Sequence, residues 1–218
     1  MSQSDSFIEE VTEEVRRDRL FAVMRRYGWI AVLAIVLIVG GASWREYSQA
    51  QDRARAEALG DAIFAALEED DSALRAEALS AIDAETGGAA ALRDMLRAAD
   101  LGRAGDDDAA VALLEQVASN GDVPEFYREI ASFKAVSRPG DVLSASDRRI
   151  RLEALAVPGK PLRLLAEEQL AMLDIDDDNR DAALERLRRI STDAEATPGL
   201  RQRAVRLIVA LGGTPEAG

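Results

Sequence analysis

The acidic run near the C-terminus has the spacing of a calcium-binding loop. Asp174, Asp176, Asp178 and Glu185 occupy positions 1, 3, 5 and 12 of that pattern, and their carboxylates are the ligands that Ca²⁺ prefers. The sixth position is Asn179, where the pattern has glycine. We therefore expect a turn between two helices, whose acidic residues cap the next helix and favour its dipole, and no metal site. Calcium binding at millimolar concentration would contradict this expectation.

Other chemistry is limited by the residue types that the chain lacks. It contains no histidine and no cysteine, which excludes Ser-His-Asp and Cys-His catalysis and zinc thiolate sites. No phosphate-binding loop, dinucleotide fingerprint or nucleophile elbow is present. An enzyme would have to use carboxylates, arginines, or one of two lysines, Lys134 and Lys160. We predict no catalytic residue, no bound cofactor and no enzymatic activity.

One uncharged segment determines the organisation of the chain. Residues 27–44, YGWIAVLAIVLIVGGASW, contain no charged side chain, although 31% of all residues are charged. As a helix this segment is roughly 27 Å long, close to the ~30 Å hydrocarbon core of a bilayer. Its eight Ile, Leu and Val residues contribute on the order of −3 to −4 kcal/mol to insertion. We predict a transmembrane helix, in preference to a buried core helix or a cleaved signal peptide.

The arginines around this segment predict its orientation. Five precede it and only three follow it within about fifteen residues, which places the N-terminus in the cytoplasm. Residues 1–26 are then a cytoplasmic amphipathic segment, with Ser6 and Glu9 forming a capping box at the start of its helix. Its apolar side chains are Phe7, Ile8, Val11 and Val15. This segment either leads into the span or contacts a partner or the membrane surface.

Residues 45–218 are predicted to form a helical domain outside the cytoplasm. Apolar residues recur at intervals of three and four, and no alternating run of strand-forming residues appears. The domain has 34 acidic and 22 basic residues, and its net charge of −12 disfavours nucleic acid and anionic lipid as partners. A break is expected at Gly87-Gly88. The predicted helices include 45–68, 72–84, 89–101, 125–137, 146–156 and 161–173.

Two segments within this domain are similar to each other. DAAVALLEQVA begins at Asp108 and DAALERLRRI begins at Asp181, 73 residues later, and each follows an acidic turn. Each is followed by a proline that we expect to start a helix, Pro124 and Pro198. We expect Asp122 with Glu125 to form a capping box at the first, and Thr197 to cap the second.

The spacing of these segments indicates a repeat of helix pairs. Seventy-three is about twice the period of tetratricopeptide-type arrays, in which each pair packs only on its neighbours. A generic alanine-rich helical bundle is the alternative. The fold class predicted is all-α, with one transmembrane helix followed by a tetratricopeptide-like α-solenoid. The small residues expected to allow close approach of helices are Ala99, Ala109, Ala135, Ala171 and Ala182.

The order of these parts resembles a known bacterial family. The layout SFIEEV, RRDRL, YGWI and GGASWREY, with the C-terminal unit PGLRQRAVRLIVALGG, is similar to the single-span ancillary subunit of the SecYEG translocon. The resemblance covers essentially the whole chain and implies a periplasmic tetratricopeptide-like domain. It also implies contact with translocon subunits, periplasmic chaperones or secreted clients, and location in the bacterial inner membrane.

The function predicted is a membrane-anchored scaffold for protein–protein interaction, an accessory of the Sec translocon. The alternative is an assembly factor for a respiratory or cytochrome-maturation complex, because such factors share the same layout of one span followed by helical repeats.

Overall fold

A computed structural model describes the backbone of residues 3–138, 140 and 142–214. Side chains are described for residues 25, 26, 29, 30 and 33–214, apart from 139 and 141. This described part contains nine α-helices and no strand, so the prediction of an all-helical chain is confirmed. The helices are α1 (Gln3–Leu67), α2 (Ser72–Ser80), α3 (Gly87–Arg103), α4 (Asp107–Ser119), α5 (Glu125–Val136), α6 (Ala145–Leu155), α7 (Arg163–Asp176), α8 (Arg180–Thr192) and α9 (Pro198–Ala210).

The first helix, α1, contains the apolar segment and begins earlier than predicted. It starts at Gln3, so Ser6 lies inside the helix and the prediction of an N-cap at Ser6 is wrong. The side chains of Ser6 and Glu9 lie outside the described residues. The side chains described between residues 25 and 58 are all exposed. Leu37 and Ile38, in the middle of the predicted span, are 67% and 70% exposed.

A search of the described residues finds no helix with the length and apolar character needed to cross a membrane. The predicted span, 27–44, includes four residues whose side chains lie outside the described ones: Tyr27, Gly28, Ala31 and Val32.

The chain divides into two compact units, Met1–Ala58 and Leu59–Gly218. In the second unit, helices α2 to α9 pack in chain order, each on the next, and α3 also contacts α5. The buried apolar residues form four separate clusters, which follow one another along the chain. The apolar side chains of each helix are therefore buried mainly against the helices next to it in the chain, and the described part of this unit has no single common core.

The 73-residue spacing seen in the sequence recurs in the positions of the helices. α4 and α8 begin at residues 107 and 180, α5 and α9 begin at 125 and 198, and α3 and α7 end at 103 and 176. The turns after α3 and α7 are also equivalent, because Gly105 and Asp178 both have positive φ, at 88° and 57°. The segments α3–α5 and α7–α9 thus share most of their helix boundaries, although α7 begins three residues later than the spacing of 73 requires.

Alanines mark the close contacts between these helices, although not all at the predicted positions. Ala135 and Ala171 are buried as expected, with 2% and 0% exposure. Ala99, Ala109 and Ala182 are only half-buried. The neighbouring alanines face the core instead, because the helices are rotated by about one residue from the predicted face. These buried residues are Ala98, Ala110 and Ala183.

The break predicted at Gly87-Gly88 lies earlier, at residues 81–86 between α2 and α3. α2 ends at Ser80, and both glycines lie within the first turn of α3. Thr86 is the N-cap of α3, since its hydroxyl accepts a hydrogen bond from the Ala89 N–H at 3.2 Å. A good cap immediately before the two glycines allows the helix to begin there despite their low helix propensity.

The two prolines start their helices differently. Pro198 is the first residue of α9, and Thr197 caps this helix by accepting a hydrogen bond from the Leu200 N–H, as predicted. Pro124 is instead the N-cap residue of α5, which has no side-chain cap, so the capping box predicted from Asp122 and Glu125 is wrong. The Asp122 N–H donates to the Asn120 side chain at 2.9 Å and belongs to the preceding turn.

The first residue of α3 provides a test of this packing. A Cβ at Gly87 would lie 2.1 Å from the Asp122 carbonyl oxygen, whereas one at Gly88 would make ordinary contacts with the Tyr127 ring at 3.5 Å and Pro124 at 4.0 Å. We expect Gly87→Ala to destabilise the protein by about 1–3 kcal/mol, since the backbone of the α4–α5 turn must move. Gly88→Ala is the matched control and should be neutral or stabilising. Urea unfolding of the full chain in mild detergent, followed by circular dichroism, would measure both; equal effects would contradict this packing.

Candidate functional site

Two buried aspartates are each bound by a pair of arginines, and each pair includes at least one arginine from a neighbouring helix. Asp174 on α7 is 3% exposed; one of its oxygens accepts a hydrogen bond from Arg149 on α6, and the other accepts one from Arg186 on α8, both at 2.8 Å. Asp100 on α3 is 1% exposed, and one of its oxygens accepts hydrogen bonds from both Arg75 on α2 and Arg103 on α3 itself, at 3.0 and 2.8 Å. The sequence separation of 25 residues from arginine to aspartate is the same for Arg75–Asp100 and Arg149–Asp174.

The structure shows what the residues of the acidic run contact. Asp174 and Asp176 are helical residues of α7, and both carboxylate oxygens of Asp174 are bound by guanidinium groups. Glu185, on α8, accepts a hydrogen bond from Arg189 at 2.7 Å. No group of three or more acidic side chains in the described part of the chain is arranged to hold a metal ion. The residues that match the calcium pattern thus form the end of one helix and the start of the next.

The cap of α8 in this turn differs from the expected acidic one. Asn179 is the N-cap, and its side-chain oxygen accepts a hydrogen bond from the Ala182 N–H at 3.4 Å. Asp181 lies in the first turn of the helix, where its charge is favourable to the dipole. In the equivalent turn before α4, Asp106 is the cap and accepts from the Ala109 N–H at 3.0 Å.

Ion pairs also join the inter-helix turns to helices. Arg163, the first residue of α7, donates to Asp193 and Glu195 in the α8–α9 turn at 2.8 and 2.7 Å. The hydrogen bond from Arg163, with a further one from the Glu195 N–H, lowers the pKa of Asp193. Lys160 donates to Glu125 and Glu129 of α5, and these hydrogen bonds raise the pKa of Lys160 to about 12. The pairs are structural links, since each basic group is neutralised by two carboxylates.

The Asp193 pair predicts a specific pH dependence. Its folded-state pKa lies below the ordinary value, so the stabilisation is present above about pH 4 and is lost as the pH falls through that lowered pKa. We expect Arg163→Gln to raise the pKa of Asp193 and to cost about 0.5–1 kcal/mol at pH 7, as is typical of a partly exposed pair. Carbon NMR titration of the Asp193 carboxyl group would measure this. Lys134→Gln is the control, and an unchanged Asp193 pKa in Arg163→Gln would contradict the assignment.

A groove between α7 and α9 is the candidate binding site. Its volume is about 390 Å³, and it is lined by Glu168, Gln169, Met172, Arg203, Arg206 and Leu207. Glu168 is held by the Arg203 guanidinium in a bidentate pair, with distances of 2.7 and 2.8 Å. Met172 and Leu207 supply the apolar surface, and Met172 is 37% exposed. The groove can therefore accept an apolar side chain beside polar groups.

The equivalent positions in α3 and α5 show how the groove differs from its internal counterpart. Seventy-three residues before Glu168 and Arg203 are Met95 and Ile130, both of which pack in an apolar cluster. Met95 is 7% exposed. A charged pair in α7 and α9 thus takes the place of two apolar residues in α3 and α5.

The sequence did not predict this groove. Glu168 and Arg203 are 35 residues apart and belong to no recognised motif. The internal similarity could have pointed to it. When the two similar segments are aligned at a spacing of 73 residues, Glu168 and Arg203 align with the apolar residues Met95 and Ile130.

The polar groups of the groove differ in whether they are paired. Glu168 and Arg203 satisfy each other, whereas Gln169 and Arg206 have no hydrogen-bond or ion-pair partner among the described residues. Arg206 is exposed, and Gln169 is half-buried. The groove therefore presents a charged donor and an amide whose hydrogen-bonding capacity is unused within the described protein.

Comparison of this chain with protein-family models, with curated proteins and with solved structures gives no match.

Proposed function

We propose that this protein is a membrane-anchored scaffold for protein–protein interaction. In this proposal residues 27–44 of α1 span the bilayer, residues 1–26 lie in the cytoplasm, and residues 45–218 form a tetratricopeptide-like helical array in the periplasm. The observation that carries the proposal is the combination of an uncharged 18-residue segment with helices that pack in chain order. The protein is an accessory of the Sec translocon in the bacterial inner membrane, where it contacts translocon subunits and periplasmic chaperones or secreted clients.

The membrane anchor is supported by the sequence of α1. A helix without a polar stripe has no side suited to water. In lipid its apolar side chains are buried on all sides, while its backbone hydrogen bonds are made within the helix. Arg25 and Arg26 lie next to the segment and favour a cytoplasmic N-terminus.

The helical array is supported by the regular positions of the helix pairs. Pairs that begin with α2, α4, α6 and α8 start at residues 72, 107, 145 and 180. These spacings are close to the ~34-residue period of tetratricopeptide repeats. Separate apolar clusters along the chain are what a stack of such pairs requires, since each pair buries its apolar face on its neighbours.

Tethering provides the mechanism of the scaffold. Confinement of residues 45–218 next to the membrane raises their effective concentration for partners at the same surface, so weak contacts are sufficient. The net charge of −12 favours partners that are basic or partly unfolded.

Site-specific photocrosslinking from the span in native membranes tests this function. Adducts with translocon subunits would support the Sec accessory role, and adducts only with respiratory or cytochrome-maturation subunits would support the alternative assembly factor. External protease added to spheroplasts tests the orientation, because a periplasmic domain is degraded without lysis. A domain that is degraded only after lysis would contradict the proposal.

A further inference from the structure

We infer that the groove between α7 and α9 binds an extended segment of a partner protein in which an aliphatic side chain is followed by a carboxylate. This inference rests on the proposed scaffold function, and it specifies the chemical character of a peptide segment that the scaffold would bind. Met172 and Leu207 would accept the aliphatic side chain, and Arg206 would bind the carboxylate.

The charge of α9 supports a carboxylate as the ligand. This helix carries three arginines, Arg201, Arg203 and Arg206, and no acidic residue, within a domain that is acidic overall. Arg201 donates to the backbone carbonyls of Asp193 and Ala196, and Arg203 is paired with Glu168. Arg206 alone among these three has no partner in the described part of the chain. A guanidinium group binds a carboxylate through two parallel hydrogen bonds, so this pairing is its best unused interaction.

The apolar surface and the amide define the rest of the segment. Met172 is unbranched and adapts to side chains of different shape, which suits a site that accepts several sequences. Gln169 offers both a donor and an acceptor to the backbone of an extended chain. The Glu168–Arg203 pair keeps the side of the groove polar without adding net charge, so Arg206 sets its electrostatic preference.

The net charge of the domain limits how acidic the segment can be. Residues 45–218 carry a charge of −12, so a strongly acidic peptide would be repelled at long range. A single carboxylate in an otherwise neutral or basic segment avoids this repulsion. The ligand is accordingly an apolar peptide with one acidic side chain, and not an acidic tract.

Fluorescence anisotropy with the full-length protein in mild detergent tests the inference. The probe is a fluorescein-labelled, amidated peptide, Ser-Gly-Leu-Leu-Glu-Gly-Ser, and its twin has Gln in place of Glu. We expect the Glu peptide to bind about tenfold more tightly than the Gln peptide, because a hydrogen bond to a charged group is lost in the twin. Arg206→Gln should remove this difference, and Met172→Ser should weaken binding of both peptides.

Lys134→Gln is the matched control, since it removes one exposed positive charge from α5 at the position 73 residues before Leu207. It should leave both affinities unchanged, and circular dichroism should show equal helix content in all variants. Equal binding of the Glu peptide to the wild type and to Arg206→Gln would overturn the inference. Binding only after removal of residues 215–218 would also overturn it, because the chain's own C-terminus would then be the occupant.

This assay requires neither membrane insertion nor the translocon. Loss of peptide selectivity would leave the crosslinking result of the proposed function intact, and a failed crosslink to the translocon would leave the peptide assay intact.

Discussion

Leu33→Arg combined with Leu37→Arg is expected to release the protein from the membrane. On the insertion scale each arginine near the centre of a span costs about 2.5–3.5 kcal/mol, and each lost leucine removes a further ~0.5 kcal/mol. The total change of roughly 6–8 kcal/mol exceeds the favourable −3 to −4 kcal/mol contributed by the apolar residues of the segment. The sign of the insertion free energy therefore reverses. Extraction of membranes with alkaline carbonate, followed by immunoblotting, should move the variant from the pellet to the supernatant.

The control for this experiment places two arginines at the same spacing outside the span. Ala112→Arg with Gln116→Arg changes two exposed positions on α4, one helical turn apart, as Leu33 and Leu37 are on α1. This variant should remain in the membrane pellet. Retention of the Leu33→Arg, Leu37→Arg variant in the pellet would show that α1 is not inserted, and the proposed anchor would have to be abandoned.

The helical elements were predictable because their signals are local. Apolar residues three and four apart, with Pro198 at the start of α9 and Thr197 before it, specify a helix without reference to the rest of the chain. The spacing of 73 residues was visible for the same reason, since both copies bury residues at equivalent positions. The failures also have local causes: the threonine cap at Thr86 allowed Gly87 to begin a helix, where two glycines had predicted a break.

The polar contacts were not predictable because their partners are far apart in the sequence. The calcium pattern was read from residues 174–185, but the group that binds Asp174 from α6 is Arg149, 25 residues earlier. Glu168 and Arg203 of the groove are separated by 35 residues and by the whole of α8. The sequence alone does not show which acidic side chains are paired with arginines. In the tertiary structure Arg149 and Arg186 bind Asp174.

Loss of both arginines that bind Asp174 is expected to destabilise the protein strongly. Arg149→Met with Arg186→Met would leave the 3%-exposed carboxylate without its two guanidinium partners, at a cost of about 3–5 kcal/mol. Each single substitution should cost only about 1–2 kcal/mol, since the remaining arginine still pairs with Asp174. The double variant should therefore lose more stability than the sum of the two single variants, as measured by urea unfolding of the full chain.

The pH dependence of this loss identifies its cause. An unpaired buried carboxylate has a raised pKa, because burial disfavours its charged form. The folded state of the double variant then binds a proton more readily than the unfolded state, so its deficit should shrink as the pH is lowered from 7 towards 5. Arg189→Met is the control: its side chain is 53% exposed and pairs with Glu185, and its loss should cost under about 1 kcal/mol at either pH.

A third substitution distinguishes the cost of the unpaired buried charge from the cost of the lost arginine packing. Adding Asp174→Leu to the double variant removes the carboxylate and supplies an apolar side chain with the same branching at Cγ between α6, α7 and α8. Since an apolar replacement of a buried ion pair is often neutral or stabilising, most of the lost stability should return. If the triple variant were as unstable as the double variant, the deficit would come from the missing arginine side chains. The arginine–aspartate contacts would then act through packing, and the similar contact of Arg75 with Asp100 should also tolerate loss of its charge.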